Sequence, residues 1–145
     1  MKVFVTRLHP HQDLKQSLID FVNLHHIQAG FILSGIGSLE QACLRFADRA
    51  EATTLSGKFE IVSLGGTLAI TGVHLHLSIA DCHGSTLGGH LVSGCLIYTT
   101  AEIAIAECET LTFLRTVDPQ TGYRELEVIE RPPAPSQNKT ESHLS

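Results

Sequence analysis

A chain of 145 residues with 43% hydrophobic and 17% charged residues has the size and make-up of one folded domain. It can bury roughly two-thirds of its surface, so it needs neither a disulfide framework nor a structural metal to hold a core. A formal net charge of −5, with no two of the ten Lys and Arg residues adjacent, speaks against a strongly basic nucleic-acid face.

In chain order, no long apolar stretch follows Lys2, so a secretory leader is not expected. No apolar run approaches the roughly 20 residues of a membrane span. The expectation is a cytoplasmic protein with no membrane association. Residues 2–8 alternate β-branched and apolar side chains and predict a strand, closed by Pro10. Leu14, Leu18, Phe21, Val22 and His25 then recur at helical spacing, and Asp13 is placed to cap them, which predicts a helix over 12–26. Residues 27–33 read as a buried strand and Ser34-Gly35-Ile36-Gly37-Ser38 as a bend. Residues 39–47 read as a strand and 48–57 as a loop. Strands follow at 59–70, 73–81, 89–99, 102–107 and 110–117, the first interrupted by a bulge or hairpin at Gly65-Gly66. A turn at 118–122 precedes a last strand at 123–129.

The fold is expected to end at Arg131, giving one domain over 1–131 and a polar, disordered tail over 132–145. One helix among many hairpin-linked strands predicts an α+β fold built on a mostly antiparallel sheet. The four cysteines, Cys43, Cys82, Cys95 and Cys108, show no CxxC spacing and read as reduced thiols. Cys82, in a polar loop beside His83, reads as a spectator, with a fourth metal ligand or a reactive thiol as the alternatives.

The chemistry-bearing segment is Gly72 to Asp81. Alternation puts Val73, Leu75, Leu77 and Ile79 on one face and His74, His76, Ser78 and Ala80 on the other. Two imidazoles at i and i+2 lie about 6–7 Å apart at Cα, close enough for their nitrogens to converge on one ion. If residues 82–88 form a hairpin turn centred near His83, His90 falls opposite His76. Three histidines would then face one point with a coordination position open, which is the pattern of a catalytic or ligand-binding zinc site. A polar surface pair, or a subunit contact, is the competing reading. His9, His11, His25, His26 and His143 carry no such geometry.

Several ordered segments resemble the PPC domain, the "plants and prokaryotes conserved" family. They are Gly30 to Leu39 with Leu44-Arg45-Phe46-Ala47, Gly57 to Thr67, Gly72 to Asp81, Gly88-Gly89-His90-Leu91, and Thr99-Thr100-Ala101-Glu102. The resemblance covers residues 2–130. It implies an α+β sheet domain that forms homotrimers, in a family whose bacterial members are often described as DNA-binding and whose plant members carry AT-hooks. It also implies a protein-contact motif at Gly57, Lys58, Phe59, Glu60, Ile61 and Val62, where Lys58 replaces an Arg and Val62 a Leu. Lys lacks the planar fork of Arg, so the contact chemistry differs. No Arg-Gly-Arg-Pro core of an AT-hook occurs. The His-x-His pair with a later His is also similar to the three-histidine zinc site of acetolactate decarboxylase.

Three functions therefore compete. One is a homotrimeric, transcription-associated regulator that works through protein contacts, with DNA contacts drawn from Arg7, Lys15, Arg45, Arg49, Lys58, Arg115 and Arg124. The second is a metal-dependent enzyme or small-molecule binder holding a divalent ion, expected to be zinc, on His74, His76 and His90. Glu102, Glu60 and Asp81 are its candidate acids or bases. The third is a structural oligomeric module.

Overall fold

The computed structural model describes residues 1–132, so the expected tail lies almost wholly outside the described residues. Eight strands and one helix follow in the order β1 (Lys2–Leu8), α1 (Leu14–His25), β2 (Gly30–Arg45), β3 (Thr53–Ala69), β4 (Gly72–Ala80), β5 (Thr86–Leu91), β6 (Leu96–Glu107), β7 (Leu111–Val117) and β8 (Arg124–Glu130). The α+β expectation holds, with every strand pairing antiparallel. No helix is long and apolar enough to cross a membrane among the described residues.

The main sheet has six strands in the order β1-β6-β2-β3-β4-β5. Its far edge curls back, because Leu44 and Arg45 at the end of β2 pair with Leu91 and His90 of β5. Strands β2 to β5 therefore close on one another at that end. The inner face carries Leu39, Leu44, Leu64, Leu68, Leu75, Leu77, Ile79 and Leu91, all in one buried cluster with Leu14, Leu18 and Val22 of α1. Each such aliphatic side chain contributes about 1.5–3 kcal/mol when fully buried.

The helix begins where a donor-accepting side chain meets it. The Asp13 carboxylate accepts from Gln16 N at 2.9 Å, and its second oxygen accepts from Gly94 N. One residue thus starts α1 and pins the turn before β6. That turn corrects the expected strand over 89–99: the chain leaves β5 at Leu91, turns, and runs unbroken from Leu96 to Glu107.

Three other expectations change. Residues 34–38 do not bend the chain; β2 passes through them as one bulged strand, with register shifts against β6 at Ile32/Ser34 and Gly37/Leu39. Gly37 has φ +144, and a Cβ there would lie 2.2 Å from Thr100 O. The glycine permits close strand approach rather than a turn. Residues 53–57, expected as loop, are the paired start of β3. Gly65 and Gly66 lie inside β3, opposite His76 and Leu75, and the bulge falls instead between Ile61 and Ser63.

The β7–β8 hairpin forms a separate two-stranded sheet. Phe113 anchors it: its N–H donates to Gln28 O, its carbonyl accepts from Thr71 Oγ1, and its ring packs with Ala29 and Ala69. This docking carries β7 and β8 over the end of β3 and β4, beside the histidine face.

Candidate metal centre

Pairing of β4 with β5 puts His76 directly opposite His90, as the hairpin reading requires. The turn that sets this register is held by Asp81, whose carboxylate accepts from His83 N and Ser85 N, both at 2.9 Å. Those two bonds draw the Asp81 carboxyl below its ordinary range. Asp81 is therefore occupied in shaping the turn.

His74, His76 and His90 each offer a ring nitrogen, and these atoms lie within 4.8 Å of one another. The ring centroids are 5.1, 5.1 and 5.6 Å apart. The His74 and His76 Nε2 atoms stand 3.3 Å apart. Two ligands on a tetrahedral ion, each about 2.0–2.1 Å from it, are separated by about 3.3–3.4 Å. One edge of a tetrahedron is already present, and the donor set fits a divalent ion of imidazole-preferring type.

Electrostatics suits a ligand role. Burial, then the Arg115 charge and then His76, hold the His74 imidazole below its ordinary pKa. Burial, then the charges of His74 and Arg45, push His90 down to about 4. Neutral imidazole is the form that binds metal, so neither nitrogen needs to lose a proton near neutral pH.

The surroundings come from three strands. Arg45 of β2 lies opposite His90, Thr67 of β3 opposite His74, and Gly65 opposite His76. Directly paired residues share a face, so all three stand beside the trio. Arg115 of β7 donates from Nη2 to Thr67 Oγ1, and burial holds its guanidinium below its ordinary pKa. Clefts of about 380, 520 and 1060 Å³ meet at the histidines.

The other expected residues fall elsewhere. Glu60, Asp81 and Glu102 line none of these clefts; Glu125 and Asp48 are the carboxylates that do. No sequence pattern marks Glu125, because only the docking of the hairpin brings it in. Cys82 is exposed and outside the convergent group, so the fourth-ligand alternative is not met. Cys43 and Cys95 are buried, and burial raises the Cys95 thiol to about 11. Of the cations expected to touch DNA, Arg45, Arg49, Arg115 and Arg124 gather in the 1060 Å³ cleft. Arg7 instead donates to Thr100 Oγ1 on β6, and the Lys58 ammonium lies over the Tyr98 ring. Within the contact motif, Ile61 and Phe59 pack into the core while Gly57, Lys58, Glu60 and Val62 are exposed.

Fold and site together define a class: a curled antiparallel sheet carrying three convergent imidazoles. The chain belongs to the Plants and Prokaryotes Conserved (PCC) domain family, whose family model matches residues 1–109. It is 51% identical over 139 residues to a "Bifunctional protein GlmU" of Synechococcus sp. (strain JA-3-3Ab), covering 93% of this chain and 22% of that protein. The chain thus spans about a fifth of the length of that curated relative. A hypothetical protein of Salmonella cholerae-suis shares the fold at TM-score 0.88 and 41% identity, over 90% of this chain and 94% of that one. A metal-containing protein of Archaeoglobus fulgidus matches at TM-score 0.77 and 26% identity, over 88% and 94%. A "putative dna binding protein" of Bacteroides thetaiotaomicron matches at 0.78 and 24% identity, over 86% and 91%, which shows the fold alone.

Proposed function

We propose that this PCC-domain chain is a divalent-metal protein that binds a small molecule at an open metal position, with His74, His76 and His90 as the ligands and zinc as the ion. The observation that carries the reading is the convergence of three ring nitrogens within 4.8 Å at the meeting point of the clefts. The description of the Archaeoglobus relative as metal-containing supports it. A bound zinc would supply Lewis acidity for polarising an oxygen or acidifying water. The chain's own residues hold two imidazoles neutral, keep Gly65 side-chain-free beside His76, and place Arg45 and Arg115 on the flanks. Metal analysis of purified, zinc-dialysed protein tests this. One equivalent per chain is expected, reduced to background in His74→Ala/His90→Ala; equal zinc in both proteins contradicts the reading.

A second reading, the homotrimeric regulator, concerns assembly. Val5, Leu33, Ile36, Val62 and Tyr98 are exposed, from 41% to 75%, on strands of the main sheet. Apolar side chains gathered on one sheet support self-association, and Lys58, Glu60 and Val62 of the contact motif are exposed on its β3. Trimer mass by light scattering, lost in Ile36→Glu/Val62→Glu, is expected; a monomeric wild type contradicts it. For DNA, four of the five candidate arginines lie in one cleft, and Arg7 lies apart on β1. Duplex binding at low salt that weakens steeply with added salt would support that role, and its absence would remove it.

A further inference from the structure

We infer that the cleft over the histidine trio is a site for a small organic oxyanion, carboxylate- or phosphate-bearing, that places one oxygen on the metal and its remaining charge among the arginines. The inference rests on the metal reading above and adds the chemical class of ligand.

Imidazole donors bring no charge to a metal, so three of them leave the full double charge on a divalent ion, unlike thiolate sites that cancel it. An anionic oxygen donor is therefore favoured at the open position. The protein around that position adds further positive charge. Arg45, Arg49, Arg115 and Arg124 line the 1060 Å³ cleft, against only Asp48 and Glu125. No carboxylate oxygen lies within 4.0 Å of any of these four guanidinium groups among the described residues. A chain of net charge −5 has carboxylates to spare, yet none forms an ion pair with these arginines among the described residues, and Glu125 acts on Arg115 only from longer range. Arginines without an ion-pair partner in a concave site match carboxylate and phosphate, whose oxygens accept two parallel N–H bonds.

The sheet register gives the site an entrance and two walls. Each histidine has a different cross-strand neighbour: Arg45 beside His90, Thr67 with its attached Arg115 beside His74, and Gly65 beside His76. Two of the histidines are flanked by cations, whereas the β3 neighbour of His76 is Gly65, which has no side chain. A Cβ built on Gly65 meets no atom within 4 Å, so the space across from exposed His76 is open. By contrast, Gly66 next to it is needed for backbone approach, since its Cβ would lie 2.0 Å from His74 O. Gly65 is thus replaceable for folding, and its bareness leaves room for a ligand.

The test is calorimetric titration of zinc-loaded protein with inorganic phosphate and with malonate at low ionic strength, alongside zinc content for every variant. Wild type is expected to bind at least one anion. The tighter of the two assigns the class, phosphate or carboxylate. Arg115→Gln is expected to weaken that binding about tenfold or more, the loss of one charged hydrogen-bond donor set, with zinc content unchanged. Gly65→Val is expected to reduce it similarly by filling the entrance. A protein that takes up zinc but binds neither anion, or binds them equally well in both variants, overturns the inference and leaves the metal reading standing. A protein that takes up no zinc overturns both.

Discussion

Replacing His76 with Ala distinguishes a metal ligand from an exposed imidazole that only meets solvent. His76 is exposed, so its loss alone costs the apo protein no more than about 0.5 kcal/mol. At the proposed zinc site it removes one of three ligands and the nitrogen that stands 3.3 Å from His74 Nε2. Losing an outer-shell partner already weakens metal binding about 10–100-fold, and losing a ligand weakens it more. At free zinc about 100 times the wild-type dissociation constant, binding stabilises wild type by about 2.7 kcal/mol. The variant, weakened at least about 100-fold, gains no more than about 0.4 kcal/mol at the same zinc. For a domain of this size that is a rise in Tm of about 5–10 °C for wild type and about 1–2 °C for His76→Ala. Thermal unfolding with zinc and with a chelator measures both. Equal zinc-dependent rises in the two proteins would rule out His76 as a ligand, and a large loss of apo stability in the variant would give it a structural role instead.

Further outcomes follow from the same geometry. His90, held neutral with a pKa of about 4, binds its proton more readily when unfolded, where its pKa is near 6.5. Metal-free protein should therefore lose stability as pH falls from about 6.5 through about 4, and His90→Gln should flatten that slope in chemical denaturation. Gly66→Ala should destabilise by at least about 3 kcal/mol, because φ is +138 and the new Cβ meets His74 O, whereas Gly65→Ala should change the denaturation midpoint little. Asp13→Ala should cost about 1–2 kcal/mol, since the carboxylate caps α1 and also holds Gly94 N.

The local parts of the site were legible because strand alternation is local. It placed His74 and His76 together, and the length of the 82–88 connection placed His90 opposite His76, as the β4–β5 register has it. The helix was legible from Leu14, Leu18 and Val22 with the Asp13 cap. The long strands were not. Gly37 reads as part of a bend and Gly65-Gly66 as a bulge or hairpin, but Gly37 lets β2 approach β6 and Gly66 lets β3 approach β4. A sequence cannot distinguish these uses, because both exploit the missing Cβ. Arg115 and Glu125 joined the site only through docking of the β7–β8 hairpin at Phe113, a contact between residues far apart in the chain. The closure of β5 onto the end of β2, which sets Arg45 beside His90, is equally non-local.

The most direct measurement is anomalous diffraction at the zinc edge from crystals of zinc-loaded protein. A three-histidine zinc site gives one peak per chain, about 2.0–2.1 Å from a ring nitrogen of each of His74, His76 and His90, with a fourth, non-protein position open toward Gly65. No peak at the trio, or a peak held by Cys82 and His83 instead, would contradict it.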